Sequence, residues 1–376
     1  MKVLVAGDLC PHGRSIFMIE ENRYTEIWNE VPNVVDNHDY SILNFECPIV
    51  EHEAKPIEKC GPNLKCTPKA VDVIKYAGFN CVTLANNHLY DYGDTGVQDT
   101  IKALGKSGLD YVGGGFDLQM ASKVLYKELN GGTLGIINCC EHEFSIATKT
   151  TGGANPLNVV NQVHAIKEAK SKADFVLVIV HGGAEHFQLP SPRMKETYQF
   201  FIEMGADAVI NHHQHCYSGY EIFQGKPIFY GLGNLMFDWE GRRGGIWNEG
   251  FMVSIEFKKT HNPSFNIYPY TQCDKTPSIV LHNDTARANF EKRLQELCDI
   301  ILDEKKLLSE NEKWMQKGSR YYLSIFQPYR GKIMNTLYMR GILNSLVPNI
   351  IKNRIRDYIE CESHRDKLLY LIKNEL

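Results

Sequence analysis

Two carboxylates, one carboxamide and a set of imidazoles each stand just after a short apolar run in this sequence. Asp8 follows Val3-Leu4-Val5-Ala6-Gly7, where the glycine permits a sharp turn and close approach of a ligand. Glu46 follows Ser41–Phe45, Asn87 lies in Asn86-Asn87-His88 after Val82–Ala85, His181 follows Phe175–Val180, and His213-Gln214-His215 follows Ala208–Asn211. Mixed oxygen and nitrogen donors suit Mn, Fe or Zn, whereas calcium prefers an all-oxygen shell. Two such ions sharing a carboxylate orient a substrate and supply hydroxide near neutral pH, because bound water in these sites titrates at roughly 7. A lone histidine at a strand end is more often structural, and a Gly-Asp turn is commonplace. Five such elements in order are rare by chance. The expectation is therefore a two-metal hydrolytic centre built from Asp8, Glu46, Asn87, His181, His213 and His215.

Those residues need a scaffold, and the first 240 residues supply an alternation of short apolar strands with helical patterns. Lys2–Ala6, Tyr40–Phe45, Cys81–Ala85, Tyr111–Gly113, Thr133–Cys139, Phe175–Val180, Ala208–Ile210 and Ile228–Tyr230 read as strands. Helical patterns lie near 68–78, 95–107, 159–172 and 192–204, the first opening on Thr67-Pro68 as N-cap and first-turn proline. Alternation of this kind predicts a layered α/β fold, with its site on loops after strand C-termini and all the ligands at one edge of a sheet. Residues 250–257 and 265–270 read as edge strands closing a domain over 1–275. From about Asn283 the period changes to helical, with Phe290, Leu294, Leu297, Ile301 and Leu308 in phase. A helical C-terminal region over 283–376 follows, broken by Gly331 and Pro348 and carrying no catalytic cluster.

Apolar content of 43% and charged content of 23% are those of a globular protein. With a net charge of −4 and no long basic run, nucleic acid is not the default partner. No wholly apolar stretch reaches the roughly 18 residues of a spanning helix, so no membrane span is expected. The N-terminus runs as a strand straight into a turn and not as a secretory signal, which gives a cytoplasmic reading. Eleven scattered cysteines without a Cys-x-x-Cys pair read as reduced thiols. Gly113-Gly114-Gly115 lacks following phosphate-loop residues and reads as a turn.

Several blocks together resemble the signature of a family. Gly7-Asp8, Asn44-x-Glu46-x-Pro48, Asn86-Asn87-His88-x-x-Asp91-x-Gly93 and His181-x-Gly183-x-Glu185 occur in its order. Gly205–Ile210 leading to His213-x-His215, and Gly225-Lys226-Pro227-Ile228 leading to Leu232-Gly233-Asn234 and Phe237-Asp238, continue the match. The family is CapA, also called PgsA or the poly-γ-glutamate capsule biosynthesis family, and the resemblance covers about residues 2–260. It is related to the calcineurin-like metallophosphoesterases, which implies a four-layer αββα sandwich. The resemblance makes Glu46 the bridging carboxylate. It gives Asp8 and His215 to one metal site, and Asn87, His181 and His213 to the other. His88 matches the histidine that serves as general acid or transition-state stabiliser there, with Asp91 orienting its ring. The chain departs from the pattern in places. Cys10 stands where the phosphoesterases carry a second histidine, Gly182 replaces a common Trp, and Asn211 and Gln214 replace a Gly and a Pro. Gly13-Arg14 falls one residue late, leaving His12 in a longer turn with a surface or substrate-contact role.

Further candidates for substrate contact are Arg14, Glu185, Glu221 and Asn234. Arg14 has the geometry to clamp a phosphate or carboxylate, or simply to form an exposed salt bridge. Glu185 reads as a support for His181 or a contact to a substrate amine, and Asn234 as a donor in a Gly-rich turn. The expected activity is that of a two-metal hydrolase making or trimming an anionic surface polymer such as poly-γ-glutamate, by attack on a phosphoester or an amide. Two alternatives stand beside it: a phosphoesterase for a sugar phosphate or nucleotide, and a non-catalytic assembly subunit docked on a capsule synthase.

Overall fold

The structure is a computed structural model and describes residues 1–375. Two sheets stand face to face. The larger has the order Ile279–Leu281, His261–Gln272, Glu249–Lys258, Lys2–Leu9, Tyr40–Phe45, Cys81–Thr83 and Asp110–Val112, with Asn234–Met236 paired beside the end of Lys2–Leu9. The smaller runs Tyr220–Phe223, Lys226–Phe229, Ala208–His212, Phe175–His181, Gly132–Cys140 and Leu125–Leu129. Within each, the strands that end at candidate ligands run parallel to one another.

Side-chain alternation explains the layering. In Lys2–Leu9, Val3 and Val5 point into the core between the sheets while Leu4 and Ala6 point outward. Phe175–His181 mirrors this, with Leu177 and Ile179 inward and Val176, Val178 and Val180 outward. The outward face of the larger sheet is covered by helices that include Lys69–Tyr76 and Gly93–Ser107, through Val73, Ile74, Val97 and Leu104. Helices Val159–Lys172 and Pro192–Glu203 cover the smaller sheet through Ile166, Ala169, Tyr198 and Phe201. The result is the four-layer αββα sandwich. Caps fix two of these helices: Asn158 accepts from the Asn161 amide at 3.1 Å, and Ser191 from Met194 at 3.2 Å ahead of Pro192.

The structure corrects three expectations. The ligand-bearing strands belong to two sheets and not to one. Both sets are apolar on both faces, so nothing in their pattern says which strands pair. Neither expected edge strand is an edge: Glu249–Lys258 lies antiparallel between Lys2–Leu9 and His261–Gln272, and His261–Gln272 lies antiparallel between Glu249–Lys258 and Ile279–Leu281. Pro68 occupies the cap position of its helix, and the Thr67 hydroxyl instead donates to Glu20 at 2.9 Å.

The helix Asp284–Leu302, capped by Asn283, buries Phe290, Leu294, Cys298 and Ile301 among residues of the sandwich core. It therefore belongs with the α/β unit, which extends over Met1–Leu308. Ser309–Leu376 forms a second compact unit of helices. The sequence boundary near 283 marked the change of period and not the end of the packing. Among the described residues no helix is long and apolar enough to cross a membrane.

Candidate metal centre

Asp8 and Asn44 face each other in the register of the first two parallel strands of the larger sheet, and His181 and His212 do so in the smaller. The C-terminal ends of both sheets thus open onto one place. Asp8, Glu46 and Asn87 arrive from the first sheet; His181, His213 and His215 arrive from the second. Glu46, His181 and His213 bring donor atoms within 4.8 Å of one another, and so do Asp8, Glu46 and His215. Glu46 is common to both groups. Glu46 Oε1 lies 3.3 Å from His181 Nε2 and 3.6 Å from His215 Nε2. His181 Nε2 is also 3.0 Å from Asn87 Oδ1 and 3.1 Å from His213 Nδ1.

The strongest argument for a cation is Glu46 itself. It is fully buried, and neither carboxylate oxygen has a hydrogen-bond partner. Buried polar groups are normally satisfied, and an ionised carboxylate without a partner is costly. Burial pushes the Glu46 carboxyl well above its ordinary range, and the negative charge of Asp8 pushes it further. Burial also pushes Asp8 upward, but the close approach of His212 and of the other nearby imidazoles outweighs this and holds Asp8 well below the usual carboxylate range. Burial drives His181 and His215 downward, which favours the neutral imidazole that binds a metal. Two carboxylates and three histidines in two overlapping triads, with the Asn87 amide beside them, fit a pair of divalent ions.

Supporting residues hold this arrangement. His213 and His215 have φ of 91° and 54°, the left-handed region that non-glycine residues rarely enter. Strain of this kind persists where the surroundings over-determine it. Asn44 Nδ2 donates to Asp8 Oδ1 at 2.8 Å. Asn234 Oδ1 lies 2.9 Å from His215 Nδ1, which fixes that ring with Nε2 toward Glu46. Asn234 is thus engaged on both sides, its Nδ2 donating to the carbonyls of His215 at 3.3 Å and Trp247 at 3.2 Å. Asn234→Ala should weaken metal affinity by about 10- to 100-fold while leaving the fold intact, as measured by calorimetric titration, because partners behind a ligand carry that much. Unchanged affinity would mean that the ring is held by packing alone.

Beside the cluster stands a second constellation. His88 Nδ1 lies 2.7 Å from Asp91, which also accepts the Leu64 amide at 2.6 Å. Lys59, 1% exposed in its side chain, is paired with the other Asp91 oxygen and lies 3.2 Å from His88 Nδ1. With Nδ1 engaged by Asp91, Nε2 is the ring nitrogen left for a substrate. Sequence reasoning missed Lys59, which sits in an aperiodic loop. It also missed His212, whose Nδ1 lies 3.2 Å from Asp8 Oδ1. The consecutive pair His212-His213 was the available signal.

Other candidates are not brought to the cluster. Arg14 donates from Nε and Nη2 to the two oxygens of buried Asp238, each at 2.9 Å, and to the carbonyls of Cys273, Asp274 and Lys275. Its donors serve the fold, which corrects its assignment to substrate. Glu221 is buried, accepting from Tyr230 at 2.5 Å and Gln199 at 3.0 Å on the smaller sheet, and is likewise structural. Glu185 is half exposed, 3.8 Å from His186. His12 stacks on Trp239 with centroids 4.7 Å apart, and its Nδ1 lies 2.8 Å from the Asp238 carbonyl. Gly182 has a steric reason: a Cβ there would meet Glu141 Cγ at 2.6 Å. Cys10 is buried, burial pushes its thiol well up, and its sulfur belongs to neither donor group.

The chain is similar to proteins of capsule biosynthesis. The capsule biosynthesis protein CapA of Bacillus anthracis is 30% identical over 335 residues, 83% of this chain and 80% of that protein. The PGA biosynthesis protein CapA of Bacillus subtilis (strain 168) is 31% identical over 275 residues, covering 71% of each chain. A putative 5'-nucleotidase from Staphylococcus aureus, solved with α-ketoglutarate, aligns with a TM-score of 0.46 at 15% identity, over 78% of this chain and 58% of that one. The profile of the family described as bacterial capsule synthesis protein PGA_cap matches residues 2–239, and the chain belongs to that family.

Proposed function

We propose that this chain is a two-metal hydrolase that acts on an anionic cell-surface polymer of the poly-γ-glutamate type. The observation that carries the reading is the buried, unpartnered Glu46 shared by two donor triads. The relatives' names support the polymer context, being proteins of capsule and PGA biosynthesis. Asp8, Glu46 and His215 would hold one ion, and Glu46, Asn87, His181 and His213 the other. When bound, the ions supply Lewis acidity toward a substrate oxygen and lower the pKa of water at the site. The chain does the rest. Asn44 and Asn234 hold ligands in orientation, while the closely packed sheet ends keep bulk water from Glu46. His88, steadied by Asp91, presents Nε2 to carry a proton to the leaving group of an amide or phosphoester.

The test is turnover of a γ-glutamyl amide and of an aryl phosphate by purified chain loaded in turn with Mn, Fe or Zn. Hydrolysis of at least one is expected, abolished by a chelator and by His213→Ala. Stoichiometric metal binding without hydrolysis of either substrate, together with retention of a capsule synthase, would instead identify an assembly subunit.

A further inference from the structure

Charge is segregated along this chain. Residues 309–376 carry twelve Lys and Arg against seven Asp and Glu, a net of +5, whereas residues 1–308 carry −9, the two making up the chain's −4. From Lys313 to Arg356 there are nine basic residues and no acidic one. The same stretch exposes large apolar side chains: Ile325 is 78% exposed, Ile333 76% and Ile350 70%. In the helix Asn349–Glu360 no residue is fully buried. Ile351, Ile355, Tyr358 and Ile359 recur there at helical spacing, with Lys352, Arg354 and Arg356 between them. A groove of about 520 Å³, lined by Leu323, Phe326, Val347, Ile355 and Ile359, also has Lys352 in its wall, beside an Arg356 that pairs with Glu360 at 2.8 Å.

Soluble monomers seldom leave so many large apolar groups in water, and where they do the surface marks a partner. A hydrated polyanion would pair with the lysines and arginines but gain nothing from isoleucine and leucine. The boundary between phospholipid headgroups and acyl chains uses both, and anionic lipid adds the complementary charge. The helices here run from Ser319–Ser324 to Glu362–Glu375 and none spans a bilayer, so such contact is peripheral.

We propose that the Ser309–Leu376 unit is a peripheral anchor that lies on an anionic phospholipid surface through its basic and apolar side chains. The inference is independent of the hydrolase reading, since it uses no residue of the metal centre.

The experiment is co-sedimentation of the full chain with vesicles of phosphatidylcholine alone, or of phosphatidylcholine with about 30% phosphatidylglycerol. Binding to the mixed vesicles is expected to exceed binding to phosphatidylcholine by about tenfold or more, and to fall in 0.5 M salt as screening shortens the reach of the charges. The variant K332E/K352E/R354E should fall to the phosphatidylcholine level, and I333S/I350S should also weaken binding. All five side chains are exposed, and circular dichroism is the check that each variant folds. The proposal is overturned if both vesicles bind alike, or if neither variant changes binding. It is equally overturned if the chain ignores vesicles and instead captures poly-γ-glutamate, or if it self-associates through contacts that the charge reversal abolishes.

Discussion

Glu46→Gln is expected to raise the thermal stability of the metal-free protein while removing the stabilisation that divalent metal gives the parent. In the absence of a cation, folding takes Glu46 out of water and offers its two oxygens no donor. A glutamine of the same shape still costs desolvation, but it carries no charge. Relieving an unsatisfied buried group is worth about 1–3 kcal/mol. With metal the order reverses. A ligand bound only by the folded state stabilises it by about 4 kcal/mol at a thousandfold excess over Kd. The variant loses most of that gain because the carboxylate shared by both triads becomes a neutral amide with one oxygen in place of two. The pH dependence has a defined sign. The folded-state pKa of Glu46 lies above the ordinary value of 4.5, so its contribution is fully present below 4.5 and is lost as pH rises through the folded value. The metal-free parent therefore loses stability relative to Glu46→Gln as pH rises above 4.5. Metal binding has the opposite slope, because ligands must shed protons to coordinate. Melting curves of both proteins from pH 4.5 to 7.5, with chelator and with Mn or Zn, separate these effects. A parent whose melting ignores both chelator and metal, or a variant that binds metal as the parent does, sinks the centre.

The parts of this site that the sequence revealed share one physical cause. A parallel α/β sheet exposes new side chains only where its strands end, so a carboxylate or imidazole directly after an apolar run has few other places to be. Asp8, Glu46, His181, His213 and His215 were legible for that reason. The division into two sheets was not legible. Val3-Leu4-Val5 and Val176-Leu177-Val178 are apolar on both faces, and either could pair with any parallel neighbour. Arg14 and Glu221 look available in sequence because nothing local shows their partners. Asp238 is 224 residues from Arg14, and Tyr230 meets Glu221 only through the strand pairing of Tyr220–Phe223 with Lys226–Phe229. Lys59 was invisible from the other direction. It lies in a loop without period, and its partner Asp91 comes 32 residues later. The helical phase from Phe290 to Ile301 announced a buried face but not the surface that buries it.

His88→Ala should leave metal content near that of the parent and slow turnover by roughly 10²–10⁴-fold, the usual range for a lost acid–base group. Its neighbour Asn87 faces the cluster, with Oδ1 3.0 Å from His181 Nε2, while His88 Nδ1 is turned to Asp91 at 2.7 Å. A ring so engaged is positioned by its own carboxylate and presents the other nitrogen to a substrate. Asp91 is fixed in turn by the Leu64 amide and by Lys59, so the imidazole is held before substrate arrives. Two companion variants divide chemistry from structure. His213→Ala should lose metal and activity together, since it removes a donor from one triad. Lys59→Met should act on stability, because removing one partner of a buried ion pair typically costs about 3–5 kcal/mol through the charge left behind. Metal analysis, melting temperature and turnover are read on the same preparations. Loss of metal in His88→Ala would make His88 a ligand. Full turnover in the folded, metal-replete variant would show instead that the Lys59–Asp91–His88 constellation only braces the loop after Ala85, and proton transfer would have to be assigned elsewhere.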